Sequence, residues 1–151
     1  MTILAITLLF GLLVAIAALK RVPHGHVYSL HRGDQPLRLL QPGLHWIVPG
    51  LDRIAHRIDL GGQMLRFDAP EVNAPALRGT VYWQVLEPER ADAVMGEVEQ
   101  LIRRGALDAL QTEPATARSN RHELGGRVKQ RLNHSLRQRG MMVTRVELDA
   151  A

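Results

Sequence analysis

The hydrophobic and polar positions divide the chain into three parts with different periods. Residues 1–19 are apolar apart from two threonines and carry no charged side chain. From residue 23 to 86 the pattern is short and alternating, with Gly and Pro at its boundaries, as in β-strands. After Pro88, apolar residues recur every three or four positions, as in amphipathic helices. This order predicts an α+β protein with an N-terminal transmembrane helix, a β-rich first half, two helices and a final strand.

The apolar segment has the length of a membrane anchor. As a helix, nineteen residues extend about 28 Å, close to the hydrocarbon thickness of a bilayer. Lys20 and Arg21 follow at once, and Pro23 ends the helix. We predict a single-pass anchor over residues 1–19 in a bacterial inner membrane. Because basic residues favour the cytoplasmic side, we expect the domain that follows the basic pair to lie on that side. The side chains expected to face lipid are Ile3, Leu4, Ile6, Leu8, Leu9, Phe10, Leu12, Leu13, Val14, Ile16 and Leu19.

The alternative for this segment is a cleaved signal peptide. The sequence "AIA" at 15–17 has the small-x-small form of a cleavage site. Cleavage there would leave a secreted or periplasmic ligand-binding domain. A signal peptide usually has basic residues before its apolar run, whereas here the basic pair comes after it, which favours the retained anchor.

Several β-strands are predicted in the first half. The segments 26–32, 53–60, 61–67 and 77–86 alternate in polarity, and Val81, Trp83 and Val85 share one face of the last of them. Pro42 and Gly43 are typical of a type II turn.

The stretch "LQPGLHWIVP" at 40–49 follows that turn and has two interpretations. Leu44, Trp46 and Val48 alternate, which favours a strand whose apolar face covers the core. Alternatively, Trp46 lies at the headgroup level of a membrane, as tryptophan often does, together with Lys20 and Arg21.

The second half predicts two helices and a strand. Pro88 suits a first helical turn, and Gly105 is a candidate break in the helix that follows. Asn120 and Glu123 form a capping-box pattern, and Gly140 suits a C-terminal cap before a strand over 141–148. Two apolar stripes mark the buried faces: Ala91, Val94, Met95, Val98, Leu101, Ile102 and Leu110 in the first helix, and Leu124, Val128, Leu132 and Leu136 in the second.

Charge and cysteine content narrow the range of functions. The chain has no cysteine, which removes disulfides, thiol nucleophiles and thiolate metal sites. Its formal net charge is +4, and lysine occurs only at Lys20 and Lys129, so arginine supplies nearly all the positive charge. Because these cations form no long block with interleaved aromatic residues, we expect them on a solvated surface and expect no nucleic-acid binding.

Candidate chemistry is sparse. His24, His26, His31, His45 and His56 invite a metal hypothesis, but no helical His/Glu motif accompanies them. Asp108, Glu113 and Glu123 are explained by solvated helix faces or caps, and Ser119 and Ser135 have no recognisable base. We therefore expect no catalytic residue, no cofactor and no metal site, and no enzymatic activity.

Four motifs in order resemble the SPFH family, which comprises stomatins, prohibitins, flotillins and the HflK/HflC proteins. They are "RVPHGHVYSLHRG", "LQPGLHWIVPGLDRI", "TVYWQVLEPERA" and "NRHELGGRVKQRLNHSLRQRGMMVTRVEL". The resemblance covers about residues 20–149, which we take as the SPFH-like (band 7) domain, with a tail at 150–151. The stretch "RFDAPEVNAPALRG" departs from the family pattern.

The resemblance implies a non-enzymatic scaffold that organises a membrane patch or modulates membrane partners. Expected partners are the lipid bilayer, further copies or SPFH relatives, an FtsH-type membrane protease, or an NfeD-like membrane protein. Family members usually continue into a long Ala/Glu-rich helix. Because the present sequence ends at Ala151 before such a helix, the resemblance does not extend to assembly into large rings.

Overall fold

The computed structural model describes residues 1–70, 76–114 and 120–150, with nothing said of the Ala150 side chain. Two compact units follow one another along the chain: unit 1 is Met1–Asp59 and unit 2 is Leu60–Ala151. Unit 1 contains one helix and five strands, and unit 2 contains three strands and the remaining described helices. The α+β class, with its β-rich first half, helices and final strand, is as predicted. The separation of an anchor from a single domain at residue 20 stays a prediction.

The N-terminal helix, α1, is shorter than predicted. It covers Thr2–Ala18, because Leu19 already has extended backbone angles (φ −85°, ψ 116°). Leu19, which we expected in the apolar helix, is instead the first residue of a strand. Among the described residues, no helix is both long and apolar enough to cross a membrane. The predicted transmembrane helix is therefore not confirmed.

Unit 1 contains five strands arranged in two sheets. β1 (Leu19–Val22) and β4 (Gly43–Trp46) form a two-stranded antiparallel ribbon, and β2 (His26–Arg32), β3 (Gln35–Leu40) and β5 (Asp52–Asp59) form a sheet in the order β3-β2-β5. β2 and β5 lie within a residue of the strands predicted over 26–32 and 53–60, whereas β3 was not predicted as a strand. β1 was not predicted, because two of its four residues are charged and nothing local distinguishes it from a linker.

The core of unit 1 joins its two sheets. Val22 of β1 packs with Leu30, Leu40 and Ile47, and Tyr28 lies partly buried against this cluster. The backbone N–H of Ile47 also donates to the carbonyl of Ala18 at 2.9 Å. The end of α1 is thus hydrogen-bonded to the chain that leaves β4.

Unit 2 is built on a three-stranded antiparallel sheet, β6-β7-β8. The strands are β6 (Gln63–Ala69), β7 (Leu77–Val85) and β8 (Met141–Ala150). Val81, Trp83 and Val85 are buried, which confirms the predicted face of β7. The Phe67 ring of β6 covers Gly79, where an added β-carbon would lie 2.2 Å from the ring. Gly79 is therefore required by a close approach between neighbouring strands.

The first helical region of unit 2 breaks earlier than predicted. α2 (Pro88–Ala91) continues as a 3-10 helix over Asp92–Glu97 before α3 (Val98–Thr112) begins. The break therefore comes before Val98, and the expectation of a break at Gly105 was wrong. Gly105 lies inside α3, where an added β-carbon would approach Leu132 to 2.8 Å. The glycine serves the packing of α3 against the next helix.

That helix, α4 (Arg121–Leu136), begins after Asn120 as predicted but ends at Leu136, four residues before the predicted cap at Gly140. The Asn120 side chain accepts from the Glu123 N–H at 3.3 Å, which caps the first turn, and all four residues of the predicted stripe are buried. A 3-10 turn (Arg137–Arg139) follows, and Gly140 adopts a left-handed conformation with φ 71°. A β-carbon at this glycine would meet the Glu87 carbonyl at 2.4 Å, so both φ and space require glycine.

α4 also binds the outer backbone of β8. The Asn133 amide donates to the carbonyl of Val143 at 3.0 Å and accepts from its N–H at 2.7 Å. About two turns before Asn133, α4 runs so close to β8 that a β-carbon at Gly125 would lie 2.8 Å from the Val146 carbonyl oxygen. The side chain of Asn133 thus makes the hydrogen bonds that a neighbouring strand would otherwise make.

Candidate membrane-attachment surface

α1 presents an apolar surface on all sides. Every residue that we expected to face lipid is exposed, and Ala18 is the only buried residue of the helix. A helix that is apolar all round has no polar face to turn towards water, and it is typical of an apolar surrounding. The surface is therefore unlike that of an amphipathic helix packed on a soluble domain.

The hydroxyl group of Thr7 is satisfied inside α1. Its Oγ1 lies 2.9 Å from the Ile3 carbonyl and 3.0 Å from the Leu4 carbonyl. A polar group that bonds within its own helix needs no water, which suits a helix that lies in hydrocarbon. The middle of the helix thus exposes methyl and methylene groups with little polar interruption.

The β1–β4 ribbon continues directly from α1 and has two different faces. Its register places Leu19 opposite Trp46 and Arg21 opposite Leu44. Because opposed residues of antiparallel strands lie on the same side, these four share one face. The alternate residue Val22 points the other way, into the core. We call Leu19, Arg21, Leu44 and Trp46 the outward face of the ribbon.

The outward face reverses the interpretation that the sequence favoured. Leu44 and Trp46 are each 64% exposed and Val48 is 45% exposed, so the expectation that they cover the core was wrong. The residue that turns inward is Ile47, which directly follows β4 and lies on the side of the chain opposite to Leu44 and Trp46. Leu51 in the next turn is also 61% exposed and was not predicted. An exposed apolar patch of this kind marks a contact surface.

Cationic side chains lie beside this patch. Lys20 and Arg21 are both exposed in β1; Arg21 is part of the outward face, whereas Lys20 points to the other side of the ribbon. The guanidinium of Arg38, on β3, donates to the carbonyl of Trp46 at 3.2 Å, so a third cation is fixed next to the tryptophan. A patch of apolar groups bordered by cations is complementary to a membrane surface with anionic headgroups. Arg38 could not have been found from the sequence, because its approach to Trp46 depends on how β3 and β4 lie.

The turn after β4 is held by a buried carboxylate. Asp52 accepts from the Val48 N–H at 2.8 Å and from Arg32 at 2.8 Å, and its side chain is only 4% exposed. The hydrogen bond from Arg32, followed by that from the Val48 backbone, holds the pKa of Asp52 below its usual range. The same contact raises the pKa of Arg32. The Asp52 carboxylate therefore fixes the segment that displays Val48 and Leu51.

The candidate histidines are held by ordinary contacts. His45 bonds the Gln41 carbonyl through Nε2 at 2.6 Å, and His26 lies 3.4 Å from the carbonyl of His24. His31 and His56 meet edge to face, with ring centroids 5.9 Å apart. The contacts of His24, His26 and His45 are of the kind that fix surface turns, whereas His31 and His56 form a ring pair between adjacent strands.

The residues considered for catalysis have structural contacts of their own. Glu113, expected on a solvated face, is instead buried and pairs with Arg127 at 2.9 Å and Arg131 at 3.6 Å. The two pairs connect the end of α3 to α4. Ser135 donates to the Leu132 carbonyl at 3.0 Å, and Ser119 lies outside the described residues.

Comparison with known protein families gives a match over most of the chain. The family model described as SPFH domain / Band 7 family matches residues 20–151. The match begins at Lys20, one residue after β1 starts, and it contains the whole of unit 2 and all of the ribbon except Leu19. It agrees with the resemblance drawn from the four sequence motifs.

Proposed function

This chain belongs to the SPFH domain / Band 7 family, and from that premise we propose that it is a membrane-anchored, non-enzymatic scaffold. SPFH proteins are in general associated with membranes and with further copies of themselves. We assign membrane attachment to α1 and to the outward face of the ribbon. The observation that carries the proposal is the exposed apolar surface of α1, which is followed directly in the chain by Leu19 of that face.

The size of the apolar surface supports insertion into lipid. Burying one large apolar side chain is worth roughly 1.5–3 kcal/mol. Eleven such side chains from Ile3 to Leu19 are exposed, so leaving them in water would cost on the order of 10 kcal/mol. That is comparable to the entire folding free energy of a typical domain. An apolar environment for α1 removes this cost.

The ribbon supplies the second part of the attachment. A tryptophan with exposed apolar neighbours and nearby cations matches the headgroup region, where indole rings and basic side chains are favoured. In this arrangement α1 enters the hydrocarbon and Trp46 lies at the polar boundary directly beside its end. The finer form of the proposal is a single pass of α1, with Lys20, Arg21 and the following domain on the cytoplasmic side.

The scaffold acts by holding partners together and makes or breaks no covalent bond. Within the family, further copies, SPFH relatives, a membrane protease and an NfeD-like protein are the partners we propose. Glu113 and Ser135, two of the described residues considered as catalytic groups, are engaged in ion pairs and a helix hydrogen bond, respectively. These contacts support a structural role for them.

The test of attachment compares two substitutions in α1. We expect the full chain to stay in membranes washed with alkaline carbonate. Leu8→Lys with Leu12→Lys should release it, because each lysine near the bilayer centre costs roughly 2.5–3.5 kcal/mol on insertion scales. The matched control, Leu8→Ala with Leu12→Ala, removes similar apolar bulk without charge and should remain bound.

Other outcomes would contradict parts of the proposal separately. Release of the unchanged chain by carbonate would overturn attachment through α1. Release of a product lacking residues 1–17 would favour the secreted, ligand-binding alternative. Protease-sensitive tags at both ends of the chain distinguish crossing from shallow insertion. If both tags are cut from the same side of sealed vesicles, α1 does not cross and the single-pass form is wrong.

A further inference from the structure

The sheet of unit 2 has two edges that differ in what covers them. At the β8 edge, Asn133 binds the backbone of Val143. At the other edge, β6 pairs with β7 on its inner side. In the described ranges 1–70, 76–114 and 120–150, β6 has no strand on its outer side. An edge strand presents a row of N–H and C=O groups that another strand can bind.

The side chains of β6 alternate strictly between the core and the surface. Leu65, Phe67 and Ala69 are buried, whereas Arg66 and Asp68 are exposed, the Asp68 side chain by 74%. Arg66 and Asp68 have opposite charges and stand on either side of Phe67. The strand is therefore self-complementary under a two-fold rotation about Phe67.

We propose that β6 pairs in antiparallel fashion with β6 of a second copy of this chain, about a two-fold axis at Phe67. The two three-stranded sheets then join into one sheet of six strands. Arg66 of each copy lies directly opposite Asp68 of the other, and the backbones of the two Phe67 residues face each other at the axis, while each ring stays over Gly79 of its own β7. The inference rests on the proposed scaffold function and identifies the surface through which copies associate.

Charge selects this register from the neighbouring ones. A two-fold axis normal to the sheet lies midway between the same residue in the two β6 strands, so that this residue is opposite its own copy. A register shifted by one residue would oppose side chains that point to different faces of the sheet. Centred on Arg66, the pairing places the two arginines against each other. Centred on Asp68, it opposes the two carboxylates. Centred on Phe67, it makes two attractive pairs, and like charges opposite each other are avoided.

The charges on the neighbouring strands continue the same pattern. Across unit 2, Asp149 of β8 lies opposite Arg78 of β7, which lies opposite Asp68 of β6. Arg78 also binds Asp68 at 3.3 Å. In the proposed pairing, the next position of this row is Arg66 of the second copy. The row then alternates in sign across four strands, so the second copy extends an order that is already present.

The test uses charge reversal on full-length chains in vesicles. Since the natural sequence has no cysteine, a single cysteine at Asp34, in the turn before β3, carries a donor or acceptor dye. Arg66→Asp makes both pairs carboxylate against carboxylate, and Asp68→Arg makes both guanidinium against guanidinium. We expect each variant alone to self-associate about tenfold more weakly than the unchanged chain. Mixed with each other, they should associate as the unchanged chain does, because every pair is again attractive.

Arg53→Asp is the matched control, because Arg53 is exposed on β5, the edge strand of another sheet. It should leave energy transfer unchanged. If Arg66→Asp behaves like Arg53→Asp while the unchanged chain still associates, the β6 pairing is wrong and the scaffold function stands. If the unchanged chain shows no energy transfer in vesicles, self-association itself fails. Restored transfer in the mixture also excludes misfolding as the cause of the single-variant losses.

Discussion

The two tryptophans of this protein occupy similar sequence patterns and opposite environments. Trp46 and Trp83 both lie in strands where apolar residues alternate with polar ones. Trp83 is 2% exposed in the sheet of unit 2, whereas Trp46 is 64% exposed on the ribbon of unit 1. A period of two shows which side chains share a face. Which face is covered depends on what packs against the strand, and for β4 the covered side is that of Val22, not that of Trp46.

The largest effect should come from truncating the two rings in turn. Trp83→Ala empties part of a packed core and should lower the free energy of unfolding by about 3–5 kcal/mol. Trp46→Ala should change it by less than about 0.5 kcal/mol, because an exposed ring loses few contacts. Urea unfolding of the unchanged chain and of each variant, followed by a signal from unit 2, gives the free energies of unfolding to be compared.

For lipid binding, substitution of Trp46 should have a larger effect than substitution of Trp83. In a chain that begins at Ala18 and so lacks the anchoring part of α1, Trp46→Ala should weaken co-flotation with anionic vesicles, whereas Trp83→Phe, which keeps an aromatic core residue, should leave it unchanged. Equal binding by Trp46→Ala and the unchanged chain would show that the exposed tryptophan does not face lipid.

A smaller effect is expected from the cations beside Trp46. In the same chain that begins at Ala18, Lys20→Gln with Arg21→Gln should weaken binding to anionic vesicles by about 2 kcal/mol, since each basic residue near such a surface contributes about 1 kcal/mol. The loss should vanish in neutral vesicles and shrink as salt is raised, because screening acts on charge and leaves apolar contacts intact. A matched pair of changes at exposed residues of α3 in unit 2, Arg103→Gln with Arg104→Gln, should have no such effect. A loss that ignores salt would assign these residues a role other than electrostatic attraction.

The smallest expected effect is a change in the fluorescence of Trp46, and not of Trp83, at acid pH. The hydrogen bond from Arg32 and that from Val48 hold the pKa of Asp52 below its usual range. The stabilisation from this carboxylate is therefore complete above about pH 4 and is lost as pH falls through the lowered pKa. In Trp83→Phe, where Trp46 is the remaining fluorophore, emission should change in that acid window.

The companion variants define the cause of that change. Trp46→Phe, which reports from Trp83, should show no change until unit 2 unfolds. Asp52→Asn in the Trp83→Phe background should already emit at neutral pH as the acid form does. An acid transition that persists with Asp52→Asn would mean that another group holds the turn.

Local signals in the sequence predicted the parts of the fold that local forces decide. The Asn120 and Glu123 cap, the left-handed Gly140 and the buried stripe of α4 depend on neighbouring residues, and the structure contains all three. The shared face of Val81, Trp83 and Val85 was also predicted, because alternation along a strand decides which side chains lie on the same side. The SPFH family assignment depended on the order of motifs and is confirmed.

Long-range packing decided the features that the sequence did not predict. β1 is a strand because β4 pairs with it, and its four residues show no strand pattern alone. α1 ends at Ala18 for the same reason, since Leu19 enters that pairing. Gly105 was expected to break a helix, but propensity is a weak signal, and close packing against Leu132 keeps the helix continuous. The burial of Glu113 depends on two arginines of α4 that lie far along the chain.

The Asn133 amide at β8 has a consequence for how far assembly can proceed. With Val143 already bound and α4 against the Val146 carbonyl, no further strand can lie along the whole of that edge. Each copy can therefore add a strand only at its β6 edge, and the two-fold contact pairs the β6 edges of both copies. Growth terminates at two chains, so this sheet offers no route to an open-ended fibre.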